Sequence, residues 1–296
     1  MRVTTSMMVR STLRDLSASL TRLQTTQTRL ATGKQLTKAS DDPTAASDAM
    51  NLRRQMERAV QRGRSLDDAE GWLGAADIAL TSGLERLARA KEIAVRSANT
   101  GALGDANARG ALAAELRSIR DDMLGLANST YGSRSIFAGT TAGNAYSVTG
   151  TYIGNGATIL RDVAPKTTLG VNVGGPQAFG VGGGPVGNVF EVLDRLALAV
   201  ANGDSSAMAL EHTNLDAAAQ TLGAATVEVG ARAARLGEIR GRAEEDSLRL
   251  RSQLSQVEDV DVVDALITAK AQENSYQAAL QVAAKILPPS LLDYLR

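Results

Sequence analysis

From Met208 to Val257 an apolar residue falls on every seventh position: Met208, Leu215, Leu222, Val229, Leu236, Ala243, Leu250 and Val257. No proline occurs between Pro185 and Pro288. A seven-residue repeat held this long keeps one narrow seam turned toward a partner helix, the spacing of a coiled coil. At about 1.5 Å per residue such a helix runs for tens of ångströms. It needs neighbours of comparable length, and the rest of the chain has to supply them.

Both chain ends carry narrow seams of their own. Near the N-terminus, Val9, Leu13, Leu16, Leu20, Leu23, Gln27 and Leu30 alternate by four and three, and Thr32-Gly33 makes a stop. Near the C-terminus the same alternation joins Val262, Leu266, Ala269, Glu273, Tyr276, Leu280, Ala283 and Leu287. The two ends are natural partners for each other. Between them, the stretch Ser40, Asp41, Asp42, Pro43 ends one helix and begins the next. Its acids can accept hydrogen bonds from free first-turn amides, Pro43 suits the first turn, and proline pushes Asp42 out of the α region. A second helix is expected from Pro43 to about Gly63 and a third from about Leu66 to Asn99, with Leu73, Ala76, Leu80, Leu84, Leu87 and Ala94 on one side. A fourth carries Leu112, Leu116, Ile119, Met123, Leu126 and Thr130.

Composition shifts after Tyr131. Residues 132–187 hold 14 of the 28 glycines and three of the six prolines. Leu169, Val171 and Val173 alternate with Gly170 and Asn172, a strand signal, and Asn155-Gly156 reads as a hairpin turn. The fold class is therefore mainly α: long antiparallel helices forming a terminal coiled coil plus a helical bundle, with a small β-rich insertion.

Chemistry-bearing constellations are scarce. The chain has 32 basic and 32 acidic side chains, so it offers no general electrostatic grip on nucleic acid or membrane. No apolar run has the length needed to span a bilayer. With no cysteine, disulfides and thiolate metal sites are excluded. His212 is the only histidine and reads as a helix-surface residue without a nucleophile beside it. The pairs Asp41-Asp42, Asp67-Asp68 and Asp121-Asp122 are adjacent in sequence and do not share a helix face, which makes them caps or solvated acids, not catalytic dyads. Asp259, Asp261 and Asp264 lack the glycine and closing glutamate of a calcium loop, and Gly180 to Gly184 lack the Lys-Ser/Thr of a phosphate loop. Arg53, Arg54, Arg58, Arg62 and Arg64 spread around a helix as a solvated face. No enzyme, metal or cofactor is expected. The N-terminus "MRVTTSMMVR" has no apolar core or cleavage site of a secretory signal.

Two stretches carry a resemblance. "RLATGKQLTKASDDPTAASDAMNLR", residues 29–53, and "VEDVDVVDALITAKAQENSYQAALQVAAKILPPSLLDYL", residues 257–295, resemble the terminal regions of bacterial flagellins and hook-associated proteins. "MRVTTSMM", "YGSRSIFAGT" and "SLLDYL" point to the hook-associated branch, and the insertion sits where that family places its outer domain. The resemblance implies an inner coiled coil of residues 1–40 and 256–296, a helical bundle of 41–137 and 188–255, and a β-rich outer domain of 138–187. It implies an assembly interface on Leu13, Leu16, Leu20, Leu23, Leu30, Val262, Leu266, Ala269, Tyr276, Leu280, Ala283 and Leu287, with Ser40, Asp41, Asp42 and Pro43 as the spoke between domains. The implied function is structural: a self-assembled ring joining hook to filament outside the cell. Its neighbours would be another hook-associated protein on the hook side and flagellin on the filament side. Export would be unfolded, without a cleavable signal, with a flagellar export chaperone on the C-terminal helix. The alternatives are a flagellin and, from another class, a cytosolic coiled-coil adaptor or scaffold.

Overall fold

The fold is described by a computed structural model over residues 5–98 and 105–286. In chain order the elements are α1 (Thr5–Thr32), α2 (Pro43–Ala98), α3 (Ala106–Ala127), β1 (Thr130–Tyr131), β2 (Arg134–Ser135), β3 (Leu160–Ala164), β4 (Thr167–Gly170), α4 (Gly175–Phe179), α5 (Val189–Asn202), α6 (Ser205–Glu258) and α7 (Val262–Ile286). The architecture is mainly α; among the described residues the strands form two antiparallel hairpins, β1–β2 and β3–β4, with isolated bridges at Lys34–Asp259 and Tyr146–Tyr152.

The seven-residue repeat is the buried seam of α6. Met208, Leu215, Leu222, Val229, Leu236 and Leu250 are buried, while Ala243 and Val257 are half-buried. The two helices expected on either side of Gly63 are one helix of 56 residues. A single glycine costs about 1 kcal/mol inside a helix, and with no proline or cap beside it, it does not end one. Real stops have a mechanism. Gly33 has φ 67° after α1, and Gly203 has φ 71° after α5. Asp105, Asn188 and Asp204 accept amide hydrogen bonds at the starts of α3, α5 and α6, and Glu191 closes a capping box with Asn188.

The chain divides into two compact units, one of Met1–Arg58 with Asp246–Arg296 and the other of Ala59–Glu245. These boundaries differ from the expected ones near residues 40 and 256. The insertion is also not a body apart. Ile159, Val163, Val171 and Val173 share one core with Leu73, Leu80, Met123 and Leu222 of the long helices. Its aromatic residues explain this. Tyr146 meets Tyr152, Phe179 and Phe190 at ring-centre distances of 5.3, 5.8 and 4.9 Å, and Phe190 belongs to α5.

Two local expectations change in the insertion. Asn155-Gly156 does not join two strands. Asn155 Oδ1 accepts from the amides of Thr140 and Ala157, so the pair ties two loops together. The hairpin turn is Pro165-Lys166 between β3 and β4, with Lys166 at φ 61°. The alternating run also leaves the sheet after Gly170, because Asn172 is buried, not exposed. Its side chain accepts from the Ile159 amide at 2.6 Å and donates to the Ala157 carbonyl at 2.9 Å, standing in for a ladder.

The Tyr146 hydroxyl is buried with no hydrogen-bond partner, and burial together with Tyr152 pushes the phenol far above its ordinary value, so it stays neutral. A buried polar group without a partner costs about 1–3 kcal/mol. Tyr146→Phe is therefore expected to leave the melting temperature unchanged or raise it by a few degrees in a thermal scan. A drop comparable to that of a core truncation would mean that the hydroxyl has a partner.

Candidate assembly surface

The first unit contains the α1–α7 pair and the turns that lead into it. α7 begins because the Asp261 carboxylate accepts the amides of Val263 and Asp264, at 2.9 and 3.2 Å. The Lys34–Asp259 bridge is antiparallel, and further along Thr26 Oγ1 lies 2.8 Å from Gln272 Oε1. Moving back along α1 thus means moving forward along α7, and the two helices run antiparallel.

The seam between them is not the one that the leucine spacing suggests. In α1 the inward positions are Leu16, Ser19, Leu23, Thr26 and Leu30, all buried or half-buried. In α7 they are Ala265, Ala269, Gln272, Tyr276, Ala279 and Ala283. Five expected seam residues point outward instead: Leu13, Leu20, Val262, Leu266 and Leu280, at 53, 37, 59, 56 and 42% exposure. Leu287 lies outside the described residues. The pair therefore joins Leu16, Leu23 and Leu30 of α1 to a mainly small and polar face of α7 and leaves five of its large apolar residues uncovered.

Those five residues share one side of the pair. At 100° per residue, each lies roughly 65–105° from its own seam in the same rotational sense. In an antiparallel pair, a two-fold rotation normal to the plane of the helices exchanges them and keeps each side in place. Equal offsets on the two helices thus fall on one side. The opposite side carries the exposed Asp15, Arg22, Asp264 and Ser275 with one large aliphatic residue, Val282, while Val263 and Ile267 of α7 face away from α1. Gln27 and the half-buried Glu273 are the polar interruptions on the apolar side. Five large aliphatic residues gathered on one side of a helix pair, with more on the outer face of α7, make an apolar surface built to be covered.

The turn at Ser40 to Pro43 is held as its residue types demand. Asp42 Oδ1 accepts the amides of Thr44 and Ala45, both at 3.0 Å, and Pro43 is the first residue of α2. Asp41 takes a separate job. Its carboxylate accepts from the Thr37 hydroxyl and the Lys38 amide, and the Thr37 bond comes first in holding it below the usual range. Ser40 is exposed.

The two paired-aspartate candidates within the second unit are occupied as ion pairs. Asp67 and Asp68 meet Arg240 and Arg161, and Asp121 and Asp122 meet Arg120 and Arg86. His212 Nδ1 lies 3.6 Å from Asp216 one turn away. Among the described residues no group of acids and histidine could hold a metal, and no helix is long and apolar enough to cross a membrane. Periodicity located the terminal helices but missed Ser19, Thr26, Ala265 and Gln272 as inward positions. Only the facing helix makes a serine or glutamine a seam residue.

Comparison with known proteins adds an independent line. Residues 3–142 match the bacterial flagellin N-terminal helical region. Flagellar hook-associated protein 3 of Salmonella typhimurium is 28% identical, with 96% of this chain and 95% of that protein aligned. Its namesake in Escherichia coli is 26% identical over 94% of this chain and 95% of that protein. Among solved structures, FlgL of Bacillus cereus is similar with a TM-score of 0.60 at 21% identity, over 69% of this chain and 99% of that one. The flagellar junction protein FlgL from Legionella pneumophila has a TM-score of 0.56 at 13% identity, over 72% of this chain and all of that one.

Proposed function

We propose that this chain, a relative of flagellar hook-associated protein 3 within the flagellin superfamily, is a structural subunit of the bacterial flagellum at the junction of hook and filament. The observation that carries the reading is end-to-end similarity to hook-associated protein 3, across 96% of this chain. The uncovered apolar side of α1–α7 agrees with it, since a subunit that never assembled would gain nothing from exposing leucines there. Copies of the chain form a ring and cover one another's stripes. The ring meets another hook-associated protein on the hook side and flagellin on the filament side. The subunit leaves the cell through the flagellar type III apparatus, with an export chaperone shielding the C-terminal helix beforehand. Similarity along both ends and the middle separates this reading from a filament subunit, and a cytosolic scaffold would have no use for an uncovered stripe at its ends.

A strain lacking the gene is expected to build hooks, release flagellin monomers into the medium and swim poorly. Normal filaments on that strain would overturn the reading.

A further inference from the structure

Four chain segments of the first unit converge where α6 ends. Glu258 closes α6 and is only 3% exposed. Its Oε1 lies 2.8 Å from Arg53 Nη2 of α2, and its Oε2 lies 3.2 Å from Lys34 Nζ of the α1–α2 linker. Lys34 also reaches Asp259 Oδ1 at 2.8 Å, and the second oxygen of Asp259 accepts from Ser255. The backbone repeats the join. The Gln35 amide donates to the Glu258 carbonyl at 2.7 Å, and the Val260 amide donates to the Gly33 carbonyl at 3.0 Å. One carboxylate thus touches α2 and the entry to α2 while standing at the exit of α6.

We propose that Glu258 is a charge latch: as a carboxylate it locks the α1–α2 linker onto the α6–α7 turn, and without its charge the two turns part and the α1–α7 pair loses its fixed attachment. The cause is geometric. Gln35 and Val260 make only two backbone bonds across the join, and turns with so few bonds open locally at low cost. The buried carboxylate supplies the rest, because two cations from different segments converge on it. Neutralising it leaves Lys34 and Arg53 side by side with no common anion. Asp259 holds Lys34 alone, while Asp42 and Asp261 are taken up by the first amides of α2 and α7.

The latch has a defined pH range. Burial works against the Glu258 charge, but the close Arg53 guanidinium, an ion pair without a hydrogen bond's alignment, and the hydrogen bond and charge of Lys34 outweigh it and hold the carboxyl below its ordinary 4.5. A carboxyl depressed in the folded state contributes fully above its unfolded value and loses that contribution as pH falls through the folded one. The latch is therefore closed at neutral pH and opens only in acid, below about 4.5.

Hydrogen exchange on the full chain tests this at the two reporting amides. At pH 7, Glu258→Gln is expected to lower protection of Gln35 and Val260 by about tenfold, with protection across residues 66–94 unchanged; that factor corresponds to losing one charge-assisted hydrogen bond. In the unsubstituted protein the same two amides lose protection as pH falls below 4.5, corrected for intrinsic exchange, and in Glu258→Gln that acid step is absent. Should Glu258→Gln not fold, Arg53→Gln reports the same loss more weakly. Unchanged protection at Gln35 and Val260 in both variants would overturn the proposal. So would an equal loss across 66–94, which would make Glu258 a general core residue.

Discussion

Replacing Gly223, Gly230, Gly237 and Gly241 together by alanine is expected to stabilise the protein by about 2–4 kcal/mol, at roughly 0.5–1 kcal/mol per glycine removed from a helix interior. All four lie inside α6, and an added Cβ at each meets nothing within 4 Å. Alanine therefore gains backbone entropy at no steric cost; Gly223, Gly230 and Gly237 are seven residues apart and distant enough to add, and Gly241, one turn from Gly237, has open space around its own Cβ. Gly71 is the contrast. A Cβ there would sit 2.2 Å from the Tyr131 hydroxyl and 2.6 Å from the ring carbon bearing it. Tyr131 in turn packs edge-on against Trp72 with ring centres 5.8 Å apart, so the ring has little room to yield. Gly71→Ala is expected to cost about 1–3 kcal/mol, the usual penalty of overpacking. Chemical denaturation of the two variants beside the unsubstituted chain measures both. Stabilisation by Gly71→Ala, or destabilisation by the fourfold variant, would contradict the packing described for α2 or α6.

The second large effect concerns the apolar side of α1–α7. Leu20→Asp or Leu280→Asp is expected to abolish incorporation into the flagellum while leaving the melting of residues 59–245 unchanged. Burying an unpaired carboxylate in an apolar contact costs several kcal/mol, enough to weaken association by at least about a thousandfold. Arg22→Ser, on the opposite side, is expected to incorporate normally. Incorporation is read from the amount of the chain in sheared, washed flagella, and melting from calorimetry on the purified subunit. If Arg22→Ser failed as completely as Leu20→Asp, the contact surface would surround the pair and the side carrying Leu13, Leu20, Val262, Leu266 and Leu280 would have no special standing.

Most of the helical architecture was legible because its signals are local. The repeat from Met208 to Val257 names the buried positions of α6 from spacing alone, and Gly33, Asp42 and Pro43 mark a stop and a start by their own chemistry. What was not legible depended on partners distant in sequence. Gly63 looks like a break until the helix is seen to run through it. Ser19, Thr26 and Gln272 look like surface positions until the facing helix is in place, and Leu13, Leu20, Leu266 and Leu280, which spacing assigns to the seam, are then displaced outward while Leu16, Leu23 and Leu30 stay in it. Asn172 reads as the polar member of an alternating strand, yet it is buried against Ile159 and Ala157, which no periodicity contains. Glu258 reads as an ordinary acid at a helix end, and only the approach of Lys34 and Arg53 sets it apart.

The assembly claim is tested most directly by locating the chain on intact flagella. A short epitope inserted between Gly182 and Gly183, in an exposed loop outside every helix and strand, leaves the terminal pair and the packed core untouched. Gold-labelled antibody viewed by electron microscopy should mark one narrow band per flagellum, where the hook meets the filament. Label along the whole filament would make the chain a filament subunit, and label confined to the cell interior would make it a scaffold; either pattern would contradict the junction reading.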